Sequence, residues 1–409
     1  MGSLRKNGMR LEHRDRRMKS LLSTVVALVV LASSPVRLSA ADILDTPRID
    51  SVVMAEQQLQ QSDAALIWYD DFDDQQQQER YAEKNGELTA EVRFGDLGQS
   101  LRMQYPMGSR GIGSRMVFFG DSPTNRLQTV RGQESFTDVY WRIYVKHQLG
   151  WTGGGPDKLS RATSLVPPGW RQSMISHVWS SGEALTLDPA SGVLGDRVAT
   201  TKYNDFSNLK WLGNKPASRF KLHSREESGR WVCVEARAKL NTPGERDGLN
   251  QLWIDGRLEA ERSNLDWRGS YAGHGINAVF LEAYWNQGSP VDQSRWIDNF
   301  VISTKPIGPV ACPQNPILLK TPYSGPGHQH AWEVEVASDD AGQTVVWKSK
   351  TFHEATELRV GADTGSFVGL TSGQQLASSS VFFVRVRQQS DAGRWSDWSP
   401  WHQPFRTIP

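Results

Sequence analysis

The sequence predicts an all-β protein: a long antiparallel two-sheet sandwich followed by a smaller β-sandwich. Three observations predict it. Trp231–Leu240 alternates strictly, with Val232, Val234, Ala236, Ala238 and Leu240 on one face and Trp231, Cys233, Glu235, Arg237 and Lys239 on the other. Similar short runs, separated by Gly, Pro and Asn turns, recur from Leu66 to Ser303, with no heptad, internal repeat or membrane-length apolar span. Pro306–Pro316 then interrupts the pattern with three prolines and a glycine before Pro316.

In chain order, Arg14, Arg16, Arg17 and Lys19 precede a short apolar run, Leu21–Ala32, and the small residues Ser39-Ala40-Ala41. This pattern reads as an export signal over residues 1–41, cleaved before Asp42, so the protein is expected outside the cytoplasm, secreted, periplasmic or at the cell surface. Residues 42–62 read as a polar leader or a short helix. The main domain spans 63–305. Leu66–Phe72 opens it, and Gly86–Tyr105, Met116–Phe119, Val139–His147, Trp170–Trp179, Trp231–Leu240, Gln251–Asp255 and Ile276–Trp285 follow as strands. Asn241-Thr242-Pro243-Gly244 and Asp255-Gly256 mark turns. Thr186–Ser228, long and rich in Gly, Pro and Asn, reads as a loop that covers or flanks a binding site. Residues 306–316 read as a linker and 317–409 as the second sandwich.

Lys and Arg total 46 against 45 Asp and Glu in 409 residues, which removes nucleic acid and a broadly anionic membrane as expected partners. Sixteen tryptophans fit a sandwich core, and also exposed platforms for sugar rings. The two cysteines, Cys233 and Cys312, either pair or stay as buried thiols. Nucleotide-binding, zinc-protease and α/β-hydrolase motifs are absent.

The order Trp231-x-x-x-Glu235, Lys239-Leu240-Asn241-Thr242-Pro243-Gly244, Leu252-Trp253-Ile254-Asp255-Gly256 and Trp296-Ile297-Asp298-Asn299-Phe300 resembles the concanavalin A-like jelly roll of bacterial polysaccharide lyases, the alginate and glucuronan lyases among them. The resemblance extends upstream to Tyr140–Lys146 and the Lys158 segment and covers roughly Trp68 to Ser303. It implies a jelly-roll frame, which also serves lectin-like binding modules, and an acidic, uronate-containing polysaccharide as partner, with no cofactor required. The 317–409 region resembles a fibronectin type III module: Trp332 lies in an early strand, and Trp395-Ser396-Asp397-Trp398-Ser399 matches a box in which tryptophans stack between strand arginines, here Arg385 and Arg387.

Cleavage of a uronate polymer by β-elimination needs a carboxylate neutraliser, a base for the C5 proton and an acid for the leaving oxygen. Tyr144, flanked on one strand face by Arg142 and Lys146, is the first candidate to move the proton, with His177 and Lys158 beside it as catalytic candidates. Arg142, Lys146, Arg161, Trp179, Glu235, Arg237, Lys239 and Tyr284 are the candidate substrate contacts. Each has a plainer reading: a solvated strand face, an exposed ion pair worth little, or, for His177, a satisfied core histidine. Asp71 and Asp298, with Asp73, are candidates for a structural Ca²⁺, or simple strand-end caps. A two-carboxylate hydrolase ranks lower, since Glu235 and Glu282 are isolated.

Overall fold

Alternation along the strands becomes two antiparallel sheets facing each other across one core. The computed structural model describes residues 45–55, 63–123, 129–353, 355–369 and 374–409; the export signal read from residues 1–41 lies outside the described residues. One sheet has seven strands, in the order Lys210–Trp211, Ala184–Ser191, Arg171–Ser181, Lys158–Val166, Ala278–Tyr284, Ser114–Phe118 and Glu83–Asn85. The other has eight: Arg257–Leu265, Gly248–Ile254, Trp231–Lys239, Asp138–His147, Gln293–Ser303, Ser100–Tyr105 and Glu87–Thr89 in line, with Leu66–Asp70 also paired to Gln293–Ser303. The two inner faces supply a continuous core that includes Trp141, Ile143, Val145, Val232, Val234, Met174, Val178 and Leu281. Trp141 carries its one polar atom into that core and donates from Nε1 to Ser160 Oγ at 3.0 Å, joining the sheets. The Asp255-Gly256 turn has positive φ at both residues (47° and 75°), the geometry a two-residue hairpin with right-handed strand twist requires.

The Thr186–Ser228 segment begins differently from expectation. Ala184–Ser191 is a strand hydrogen-bonded to Arg171–Ser181, because Leu185 and Leu187 reach the core while alternate residues face out. The loop proper starts after it.

The second set of strands also forms two sheets. Six strands pair in the order Ala311–Cys312, His402–Thr407, Val381–Ser390, Gln329–Ala337, Val345–Ser349 and Gly365–Phe367, and three pair as Ile49–Val52, Ile317–Lys320 and Glu357–Arg359. Trp332, Val334, Trp347, Val386 and Phe405 are buried together. On the six-stranded sheet, Arg387 lies over Trp395 and Trp398 at 4.5 and 4.7 Å, and Arg385 over Trp398 and Trp401 at 4.7 and 4.8 Å. Glu335 and Glu333 hold the same two arginines from the neighbouring strand, so the ladder is locked on both sides.

Three expectations change here, for one reason. The leader supplies Ile49–Val52, which pairs with Ile317–Lys320. In the 306–316 stretch Val310 and Cys312 are buried, and Ala311–Cys312 joins the six-stranded sheet in parallel with His402–Thr407. The Trp231–Lys239 face read as wet is covered: Phe94, Tyr144, Trp231 and Cys233 share one apolar cluster with Val310, Cys312 and Trp332. Alternation separates the core face of a sheet from its back, but it does not say whether the back meets water or another part of the chain. Several charged residues at this joint are paired. Arg230, fully buried, reaches Glu227 at 2.8 Å and Asp255 at 2.9 Å, and Arg48 reaches Glu227 at 3.5 Å. His402 Nδ1 lies 2.8 Å from the Pro400 carbonyl, which can only accept. That nitrogen therefore carries the proton, and Nε2 accepts the Ile49 amide at 2.9 Å. Both cysteines are buried and free.

Candidate functional site

On the outer face of the seven-stranded sheet, cross-strand register aligns polar and aromatic side chains, which loop residues partly cover. One row runs Asp188, His177, Arg161, Phe280, Met116, Glu83; a second runs Thr186, Trp179, Lys158, Tyr284. Lys158 and Arg161 are three residues apart, so strict alternation puts them on opposite faces. The register shift between Lys158 and Ser160 inserts an extra residue and brings both side chains to the same side. A matching shift between Leu281 and Tyr284 sets Tyr284 opposite Lys158.

The two cations converge on one carboxylate. Glu282 Oε1 is 3.5 Å from Arg161 and 3.9 Å from Lys158, and Glu282 Oε2 has no hydrogen-bond partner. Lys158 Nζ lies 4.2 Å above the Tyr284 ring, and the Arg110 guanidinium, exposed on the Gly108–Gly113 loop, lies 5.3 Å from the same ring. Arg161 is nearly buried. It donates to Asn204 Oδ1 at 3.1 Å and to the Tyr203 hydroxyl, and its guanidinium sits 4.5 Å from the Phe280 ring. Burial lowers the Lys158 ammonium pKa, Glu282 opposing. Burial raises the Tyr203 phenol, Arg161 opposing.

His177 lies under this surface, fully buried beneath Trp179 (4.2 Å) and Trp211 (5.8 Å). Its Nδ1 donates to the Asp188 carbonyl at 3.1 Å, which leaves Nε2 as a bare acceptor with no donor near it. Burial, with Arg161 adding to it, pushes its pKa well below the ordinary histidine value. It is neutral and positions the aromatic platform above it. Lys215, exposed, reaches Asp188 at 2.9 Å and lies 5.6 Å from the Trp179 ring.

Of the residues singled out from sequence, Lys158, Arg161, His177, Trp179 and Tyr284 share this face. The others do not. Tyr144 is fully buried, and its hydroxyl accepts the Val310 amide at 3.0 Å. Burial drives its pKa well up, outweighing the opposite pull of Arg142, so the activated phenol expected there is absent. Arg142 donates to the Gly308 carbonyl at 2.9 Å, and Lys146 pairs with Asp50 at 2.8 Å. Glu235 accepts the Ile307 and Gly308 amides at 2.9 and 2.8 Å. These four residues tie the chain after the sandwich, and the strand before it, to the back of the eight-stranded sheet. Arg237 pairs with Asp138 at 2.7 Å on that same sheet, where Lys239 also pairs in register with Asp138. Asp298 is buried and accepts the Phe94 and Asn299 amides. Among the described residues no group of three or more His, Cys, Asp or Glu side chains is placed to hold a metal, Asp71, Asp73 and Asp298 included.

Sequence reading missed Tyr203, Asn204, Trp211 and Lys215, although it flagged their loop as flanking a site. It also missed Arg110, which sits in a glycine-rich loop. These residues meet the sheet only through long-range chain return, and no local period reports that.

No protein-family model matches this chain, and no curated protein matches it. Among solved structures, the chain is similar to the endo-β-1,4-glucuronan lyase of the fungus Trichoderma reesei, at 13% identity and TM-score 0.41 over 59% of this chain and 96% of that one. It is similar to alginate lyase vAL-1 from Chlorella virus, at 12% identity and TM-score 0.39 over 55% and 91%. The PL-14 alginate lyase of Aplysia kurodai gives 14% identity and TM-score 0.39 over 59% and 100%. At this identity and superposition, neither an activity nor a residue role passes from those proteins to this chain.

Proposed function

We propose that the outer face of the seven-stranded sheet binds an acidic, uronate-containing polysaccharide outside the cytoplasm and cleaves it by β-elimination. The observation that carries this reading is the gathering of Lys158, Arg161 and Tyr284 around Glu282, where the Lys158 and Glu282 side chains each keep 14% of their surface exposed. Lys158 would meet the substrate carboxylate, with the charge of Arg161 buried behind it, and this neutralisation makes the C5 proton acidic. Tyr284, with Lys158 and Arg110 facing its ring, is the group placed to take that proton. The C5–H bond breaks, the C4–C5 double bond forms, the C4–O4 bond breaks, and the phenol returns the proton to O4. Trp179 and Trp211 would stack on neighbouring sugar rings.

The test is the ultraviolet absorbance of the unsaturated uronate product, measured with polymannuronate, polyguluronate, polyglucuronate and polygalacturonate. Turnover is expected with at least one polymer, with loss of at least a hundredfold in Tyr284→Phe at unchanged retention by the polymer. No product from any polymer, with retention intact, leaves a lectin-like binding protein. The mutual neutralisation of Lys158, Arg161 and Glu282 in the free protein fits that second reading.

A further inference from the structure

Beside the charged cluster, the same face turns apolar. A cavity of about 380 Å³ is lined by Met116, Phe118, Leu165, Trp170, Tyr203 and Phe280, with Ala82 and Glu83 at its border. Its floor is built from the outward side chains of three adjacent strands: Phe118, Leu165 and Phe280, each nearly buried. Two aromatic pairs form its walls. Phe118 stacks on Trp170 at 5.4 Å and 28°, and Tyr203 stacks on Phe280 at 6.3 Å and 25°. Trp170 is 38% exposed and holds a left-handed backbone (φ 57°) at the tip of the hairpin joining Lys158–Val166 to Arg171–Ser181. A bulky residue rarely adopts that conformation.

The cavity is continuous with the cluster around Glu282. Phe280 is the neighbour of Glu282 on the same strand face, and the Arg161 guanidinium lies over both Phe280 and Tyr203, at 4.5 and 5.2 Å. A ligand whose carboxylate meets Lys158, beside Glu282, therefore has this cavity one step along the sheet. An unsubstituted uronate residue does not match it. Its several hydroxyls would need hydrogen-bond partners, and the cavity offers few: the Tyr203 hydroxyl, which already accepts from Arg161, and at the border Glu83, which accepts from Ser114 Oγ at 3.2 Å. Each hydroxyl buried without a partner costs about 1–3 kcal/mol. A short acyl ester has a methyl end that needs no partner and gains from leaving water. We propose that the cavity is a subsite for an O-acyl substituent, acetyl being the simplest, so that the chain prefers an esterified acidic glycan to the bare polymer.

This inference rests on the glycan reading above, and the experiment separates the two. The full chain is run in affinity gels containing one polyuronate in two forms, O-acetylated and saponified. The expected result is stronger retardation by the acetylated form, corresponding to about a tenfold lower Kd. Trp170→Ala, at an exposed position, and Met116→Gln, which places an amide on the cavity wall, should both reduce retardation to that of the saponified gel. Equal retardation of the unmodified protein by both gels overturns the subsite and leaves the glycan reading standing. So does a preference that survives both substitutions. Retardation by neither gel overturns the glycan reading and the subsite with it.

Discussion

The two sheets of the sandwich present the same sequence pattern on their backs and use it in opposite ways. Arg142, Tyr144 and Lys146 alternate on one; Lys158, Arg161, Glu282 and Tyr284 line the other. On the eight-stranded sheet most such groups are consumed by chain arriving from elsewhere: Tyr144 by Val310, Glu235 by Ile307 and Gly308, Lys146 by Asp50, with Arg142 Nε left over. On the seven-stranded sheet the side chains serve one another and leave Glu282 Oε2 and His177 Nε2 without partners. A polar strand face thus reports only that it is not the sandwich core. Whether it becomes a joint or a site depends on what the rest of the chain lays over it.

The largest expected effect breaks the joint. Arg230→Ala leaves Glu227 and Asp255 as buried carboxylates without their common partner, and should cost about 3–5 kcal/mol of stability by chemical denaturation. A loss under 1 kcal/mol would show that water reaches the joint. Tyr144→Phe is the sharper contrast. It strands the buried Val310 amide and should cost about 1–3 kcal/mol while leaving polymer retention unchanged. Loss of retention at full stability would put Tyr144 back among the substrate contacts.

The joint should also feel acid. His402 is held neutral by burial, then by Arg230 and Arg48, and its pKa is pushed down to about 3. Below an unfolded-state pKa of about 6.5 the unfolded chain takes up a proton that the folded one refuses. The stabilisation from His402 is therefore complete above about pH 6.5 and is lost as the pH falls toward 3, at about 1.4 kcal/mol per pH unit. His402→Asn, which accepts the Ile49 amide without titrating, should show a shallower fall of unfolding free energy over that range. Parallel pH profiles would refute the assignment. The smallest effect is expected at Arg237→Ala, near the end of an interior strand of the covered sheet, where a partly exposed pair with Asp138 is worth about 0.2–1 kcal/mol. Polymer retention should not change.

Much of the fold was legible because it is local. Val232 through Leu240 alternates for its core, Asp255-Gly256 turns a hairpin, and Trp395 to Trp398 spaces two rings to receive Arg385 and Arg387. About half the site was legible too: Lys158, Arg161, His177, Trp179 and Tyr284 were picked out, but so were Tyr144, Arg142, Lys146 and Glu235, which carry the same kinds of side chain on the back of a strand.

What the sequence by itself determined is the all-β class, the positions of most strands and which side chains of each face the core, since these depend on neighbours two residues apart. Only the tertiary structure decided which back is covered. Asp50 of the strand Ile49–Val52 reaches Lys146 on the eight-stranded sheet and Ile307–Gly308 folds back onto Glu235, while Tyr203 and Trp211 return to the other sheet. Burial of a group depends on what arrives in space, and that arrival leaves no periodic trace in the residues it covers.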